Sequence, residues 1–296
     1  MTLLSALPSA RPPFLTLAPM CVLLGTAIAI YQGAELDWFH FILALLGAVL
    51  AAVCVNTLNE YQDFHSGLDL ITEQTPFSGG SGLLKNHQHL ENQVLKLFQI
   101  SLASLFAIGI YFVWRFGLPM LVIGLLGLAV IITYTNTLNR HPWLCLVAPG
   151  LGFALLMVLG SVVVQSVALN GAAMAIALIP FFTINNLLLV NQLPDLKADK
   201  RAGRDHFAIH YSVTAMLWCF TISACLSLAV LCYAILRDFL PIQAFWVVPL
   251  LLLNFVALPK LIQLRESIAL HPPSMAVNVV AANLLPLCLA IVLFIS

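Results

Sequence analysis

The chain divides into about nine apolar stretches, each close to the roughly 20 residues that an α-helix needs to cross a hydrocarbon core. They run roughly over 14–33, 38–61, 93–114, 118–137, 143–164, 171–192, 213–236, 241–261 and 274–296. The division at Gly117–Pro119 follows from length, because one helix over 93–137 is far too long for a single crossing. Only 8% of the 296 residues are charged, against about 25% in an ordinary soluble domain. That deficit excludes a soluble globular enzyme and a disordered chain. The formal net charge of +0 leaves no field to steer a polyanion, so no nucleic acid is expected as a partner. The expected fold class is all-α: a polytopic membrane protein of nine transmembrane helices, one domain over 1–296. The seven cysteines lie in apolar runs without a CxxC pair and read as small hydrophobes. A cleaved signal peptide is a weaker reading of the N-terminus than a first span, since many similar spans follow.

Alternating the sides along this map sorts the basic residues unequally. Arg11, Lys85, Lys96, Arg140, the four between Lys197 and Arg204, Lys260 and Arg265 fall on one side. Only Arg115 and Arg237 fall on the other. By the positive-inside rule the N-terminus and the two long polar connections, about 62–92 and about 193–212, face the cytoplasm. An eight- or ten-span map spoils the asymmetry. A bacterial inner membrane is the expected location.

The acids are placed unusually. Glu60, Asp63, Asp69, Glu73 and Glu91 lie at or after the second stretch, and Asp195, Asp199 and Asp205 after the sixth, all on the same side. The two segments resemble each other. Asn59 precedes Asp63 by four residues and Asn191 precedes Asp195 by four, which suggests an internal duplication with halves near 59–69 and 191–204. On a helix, Asn56, Asn59 and Asp63 share one face, as do Asp195 and Asp199. Opposed across a bundle, the two faces make a carboxylate-rich pocket whose charges repel and resist desolvation. A hard divalent cation resolves this. Mg²⁺ takes oxygen ligands, holds few carboxylates directly and shares its shell with substrate phosphates. Lys85, Lys200, Arg201 and Arg204 add donors for phosphate oxygens.

At these residues the chain resembles the UbiA superfamily of intramembrane prenyltransferases. That family carries two aspartate-rich motifs at the cytoplasmic ends of the second and sixth of nine helices. The first motif is matched by Asn59, Glu60, Asp63, Gly67 and Asp69, the second by Asp195, Asp199, Gly203 and Arg204. The stretch TPFSGGSGLL at 75–84 is similar to the Gly-Ser loop of the branch that prenylates dihydroxynaphthoate and related quinone precursors. Glu60 stands where the family usually has Asp, Pro194 where many members have Arg, and the segment 133–142 lacks a Gly-Pro run. The resemblance implies a helical bundle around a central cavity and a Mg²⁺-dependent transfer from a polyprenyl diphosphate to a lipophilic aromatic acceptor. It implies Asp63, Asp69, Asp195 and Asp199 as metal ligands, with Asp63 and Asp195 also catalytic. Asn59, Lys85, Asn191, Lys200 and Arg204 are the expected diphosphate contacts. Tyr134 is expected to face the allylic cation through its ring.

Other signals are weaker. His87, His89, His206 and His210 are too scattered for a di-iron centre, and His65 reads as a loop histidine. The rival reading is a multi-span transporter with a cytoplasmic cation-binding site. Transporters carry ionisable groups near the midplane, often on inverted repeats, whereas here the middles of the stretches hold none and the repeat is parallel. Partners beyond membrane lipid and the two small substrates have no sequence basis.

Overall fold

The computed structural model describes residues 3–296. It contains no strand among the described residues; its helices bond their backbone groups within their own segments, one of the two ways a chain satisfies them in lipid. The long helices are α1 (Leu17–Tyr31), α2 (Trp38–His65), α3 (Glu91–Phe116), α4 (Leu118–Thr133), α5 (Pro142–Val164), α6 (Gly171–Asn191), α7 (Val213–Leu236), α8 (Val248–Leu264) and α9 (Pro272–Ile295). Three of the expected starts carry side-chain caps. Asp37 accepts from His40 N, Asn170 from Ala173 N and Ser212 from Ala215 N, so α2, α6 and α7 begin where their first backbone N–H groups find partners.

Eight of the nine, with the 3₁₀ turns that lead into them, are long and apolar enough to cross a membrane. The exception is α4. It stops at Thr133, not near residue 137, and its 16 residues extend about 24 Å at 1.5 Å per residue. The stop has a local cause. Thr135–Asn139 is a polar run of weak helix formers, and Pro142 disfavours helix at His141. Even so, α4 runs the depth of the bundle. Met120 packs beside Phe112, Val163 and Val164 at one end, and Thr135, just past the other end, accepts from Asn59 at 3.1 Å. In contrast, α2 continues one turn beyond the expected boundary and carries Asp63 within the helix.

α1 packs between α2, α5 and α9, α3 lies along α2, and α6 lies along α7. α1 crosses α5 closely. A Cβ at Gly25 would fall onto the Val158 carbonyl and within 2.6 Å of Ser161 Cβ. Small residues permit such approaches between membrane helices, where lipid removes any hydrophobic drive and packing decides. In α5, Pro149 is followed by a π-helical stretch, Gly150–Met157. The Gly150 N–H donates to Asn185 Oδ1 of α6 at 2.7 Å, which fixes the distorted turn in place. The fold therefore predicts that Gly25→Val destabilises the protein by about 1–3 kcal/mol through overpacking. Thermal unfolding in detergent checks this, and an unchanged Tm contradicts the packing described.

Candidate active site

The C-terminal ends of α2 and α6 meet, and the loops that follow them fold together. Arg204 stands between the two acidic motifs. Its Nη2 donates to Asp63 Oδ1 and Oδ2 at 2.6 and 2.7 Å, and its Nη1 donates to Asp199 Oδ1 at 2.8 Å. One planar guanidinium thus joins the two motifs, reaching Asp63 across 141 positions of sequence, a geometry that suits arginine and not lysine. Asn59 donates to Asp63 Oδ2 at 2.8 Å and accepts from Arg11 Nη2 at 3.0 Å. Arg11 reaches the site from the N-terminal segment Leu3–Ala10, which is tied to α2 by Asn56 donating to the Ala10 carbonyl.

The Gly-Ser loop joins the motifs a second time. Glu60 is fully buried and accepts from Ser81 N, Ser81 Oγ and Leu84 N at 3.1, 2.8 and 3.3 Å. Gly79 N donates to Asp195 Oδ2 at 3.0 Å. Gly79 has φ +81°, and a Cβ there would lie 2.5 Å from the Glu73 carbonyl, so only glycine lets this backbone approach Asp195. Glu60 thereby holds the loop.

Not every expected residue joins the site. Asn59, Asp63, Asp69, Tyr134, Asn191, Asp195, Asp199 and Arg204 all line one cavity of about 840 Å³. Lys85 and Lys200 do not. The Lys85 ammonium donates to the Thr72 carbonyl at 2.8 Å and so braces the loop. Lys200 is exposed, because it follows Asp199 on the short helix Leu196–Arg201 and points about 100° away from it. Spacing did not reveal Arg11, Asn139 and Gln192, which also line the cavity; they come from separate segments with no shared motif. Buried His206 places Nε2 3.3 Å from Asp199 Oδ2.

The donor set fits a hard cation. Asp69 Oδ2, Asp195 Oδ1 and Asn191 Oδ1 are buried oxygens without a hydrogen-bond partner. Among the described residues no group of three carboxylates, imidazoles or thiols is gathered tightly enough to hold an ion alone. Mg²⁺ fills its shell from few carboxylates, water and substrate phosphate. The electrostatics agree. Burial pushes the Asp69 carboxyl up to about 7, with Glu60 and Asp63 adding to the shift. Burial also pushes Asp195 up to about 7, with Asp199 adding and the Gly79 N–H opposing.

Beyond the acids the cavity is apolar, lined by residues of α2, α3, α4 and α5. A helical membrane bundle whose cavity joins a carboxylate and guanidinium cluster to a hydrocarbon chamber defines a site for an amphiphile with an anionic head. The comparisons agree with this class. Residues 18–270 match the UbiA prenyltransferase family, and the chain belongs to it. It is 28% identical over 202 residues to the 1,4-dihydroxy-2-naphthoate octaprenyltransferase of Bacillus subtilis (strain 168), covering 67% of this chain and 63% of that protein. The enzyme of the same name from Escherichia coli (strain K12) is 28% identical over 213 residues, covering 69% and 67%. The matches thus span about two thirds of the length of these relatives. Among solved structures, digeranylgeranylglyceryl phosphate synthase aligns with TM-score 0.71 at 15% identity over all of both chains. A UbiA homolog from Archaeoglobus fulgidus bound to GPP and Mg²⁺ aligns with TM-score 0.68 at 15% identity, over 99% of this chain and 100% of that one.

Two predictions follow from the loop and the acids. Glu60→Ala strands three donors, each costing about 1–3 kcal/mol when buried, whereas Glu60→Gln keeps an acceptor in place. Thermal unfolding and proteolysis over residues 72–86 should show the alanine variant clearly weaker; equal behaviour of the two contradicts the clamp. For the acids, the folded pKa values of about 7 exceed the ordinary 3.8. The folded state then holds more protons than the unfolded state between those values, and stability falls as pH rises through that window. Without divalent ions, Tm should be lower at about pH 8 than at about pH 5, and Mg²⁺ should restore it at the higher pH. A Tm that rises over this interval without metal contradicts the assignment.

Proposed function

We propose that this chain is an intramembrane prenyltransferase that moves a prenyl group from an allylic polyprenyl diphosphate to an aromatic quinone precursor, with dihydroxynaphthoate the leading acceptor. The carrying observation is the two-part cavity. Its polar end gathers Arg11 and Arg204 with four aspartates, and its apolar part runs along α4 from Met120 to Tyr134, about 21 Å at 1.5 Å per residue. A diphosphate head and a hydrocarbon tail match the two parts. The named activity of the naphthoate relatives supports the acceptor, and the GPP and Mg²⁺ bound to the A. fulgidus homolog support the donor and the ion.

In this reading Asp63, Asp69, Asp195 and Asp199 hold Mg²⁺, which when bound offsets charge on the diphosphate. Arg204 and Arg11 donate to the phosphate oxygens, and their fixed charge favours the diphosphate as it leaves. Asn59 and Asn191 orient the aspartates and the head group. As the allylic C–O bond breaks, the ring of Tyr134 faces the cationic carbon, and the apolar wall keeps water from it. A ring carbon of the acceptor, made electron-rich by its hydroxyls, forms the new C–C bond, and the proton it loses passes to the departing diphosphate. Asn139 and Gln192 offer amide groups to those hydroxyls.

The topology completes the proposal. All nine long helices cross the membrane, α4 included, with the N-terminus and both acidic loops cytoplasmic, in a bacterial inner membrane, and the two motif halves descend from a duplication. The experiment is turnover by purified protein with radiolabelled prenyl diphosphates and a panel of aromatic acceptors, with product identity read by mass spectrometry. Dihydroxynaphthoate should be prenylated only with Mg²⁺ or Mn²⁺ present. Asp63→Ala and Asp195→Ala should each lose on the order of 10²-fold in turnover. Full activity in excess chelator sinks the reading; prenylation of haem or a sugar phosphate, with naphthoate untouched, sinks only the acceptor.

A further inference from the structure

Three residues from separate segments meet behind the cavity wall. Cys145 of α5 is fully buried. Its Sγ donates to Asn139 Oδ1 at 3.4 Å and accepts from Gln192 Nε2 at 3.2 Å. Asn139 and Gln192 line the cavity, with the thiol behind them. A thiol has one hydrogen to give and a sulfur that accepts weakly. The two amides therefore turn opposite ends to it, a carbonyl from Asn139 and an NH₂ from Gln192. They must then turn opposite ends away from it. Asn139 Nδ2 and Gln192 Oε1 have no hydrogen-bond partner among the described residues, so the pair offers the cavity one donor and one acceptor.

The backbone fixes this pair beside the reacting centre. The Asn139 N–H donates to the Tyr134 carbonyl at 3.0 Å, and the Asn139 carbonyl accepts from Asp205 N at 3.0 Å. An amide on a residue only 4% exposed is thereby held next to Tyr134 and tied to the loop of the second motif. Gln192 ends α6, where its N–H donates to the Leu188 carbonyl at 3.0 Å. A buried amide atom left unpaired is costly, so a ligand that completes both amides is favoured over one that completes only one. Both amides touch one sulfur, so the two groups they read lie close together, as on neighbouring ring carbons.

We propose that Cys145 is a positioning residue that sets the polarity of acceptor recognition. Through it, Asn139 donates to a carbonyl or carboxylate oxygen of the acceptor, and Gln192 accepts from a hydroxyl on the adjacent ring carbon. The acceptor class is an ortho-hydroxy aromatic acid or ketone. A phenol whose carboxylate lies across the ring satisfies one amide and strands the other. This inference deepens the function proposed above and rests on it.

The test measures turnover of dihydroxynaphthoate in lipid nanodiscs, with 1-hydroxy-2-naphthoate, 1-naphthol and 2-naphthoate as competing ligands. For wild type, the ortho-hydroxy acid should inhibit about tenfold better than either single-oxygen analogue, the scale of one or two buried hydrogen bonds. Cys145→Val fills the space without the bonds. It should shrink that preference to about threefold or less and raise the acceptor KM, with the KM for geranyl diphosphate within about twofold of wild type. Cys145→Ser, which can give and receive a hydrogen bond, should retain more of the preference than valine does. Asn139→Leu should repeat the valine result, which keeps the proposal testable if the valine variant does not fold. Equal inhibition by the three ligands in wild type overturns the proposal alone. So does a folded valine variant that keeps the preference, or one that raises both KM values in parallel. A wild type that prenylates 4-hydroxybenzoate and not dihydroxynaphthoate also overturns it and leaves prenyl transfer standing. A wild type inactive on both acceptors overturns the underlying reading and this proposal with it.

Discussion

The structure depends on one electrostatic constraint. Glu60, Asp63, Asp69 and Asp199 are all buried at one end of an apolar bundle, with Asp195 beside them. Charges out of water are costly unless paired and hydrogen-bonded. Arg204 answers the cost for Asp63 and Asp199, and the loop answers it for Glu60 through three donors. Asp69 and Asp195 retain unpartnered oxygens, and their carboxyls are pushed up to about 7. The balance is left open to a cation.

That constraint accounts for features that otherwise look unrelated. The N-terminal segment is tied to α2 by Asn56, which brings Arg11 into the site. The Gly-Ser loop has left-handed glycines because its backbone N–H groups must reach Glu60 and Asp195 from between the motifs. Lys85, too far round to meet the cavity, braces this loop through Thr72. The π-helical turn of α5 shapes the cavity wall, where Pro149, Gly152 and Phe153 face the space beyond the acids.

Much of this was legible in the sequence, for identifiable reasons. Apolar length places helix starts at 38, 171 and 213, and Asp37, Asn170 and Ser212 cap the helices there. The four-residue spacing of Asn59 and Asp63 appears as a hydrogen bond because helical geometry enforces it. Other parts were hidden. Nothing in the spacing shows that Arg11, a residue in a left-handed turn before two prolines, reaches Asn59. Glu60 reads only as an acid in the place of a family Asp, and its three donors come from a loop whose path is not written in any periodicity. Lys200 reads as a phosphate contact because it sits beside Asp199, although adjacent helical residues point apart. The early end of α4 falls where the polar run Thr135–Asn139 replaces apolar helix formers, which a count of apolar length passes over.

The central claim is that both motifs form one site in which cation and diphosphate bind together. The most direct measurement is binding of a non-reactive thiolo analogue of geranyl diphosphate to the purified protein, titrated with and without Mg²⁺, for wild type, Asp69→Asn and Asp199→Asn. The account predicts tight binding only with the ion, and weakening by either substitution, one in each motif. Binding that is equally tight in chelator, or that depends on one motif alone, would contradict it.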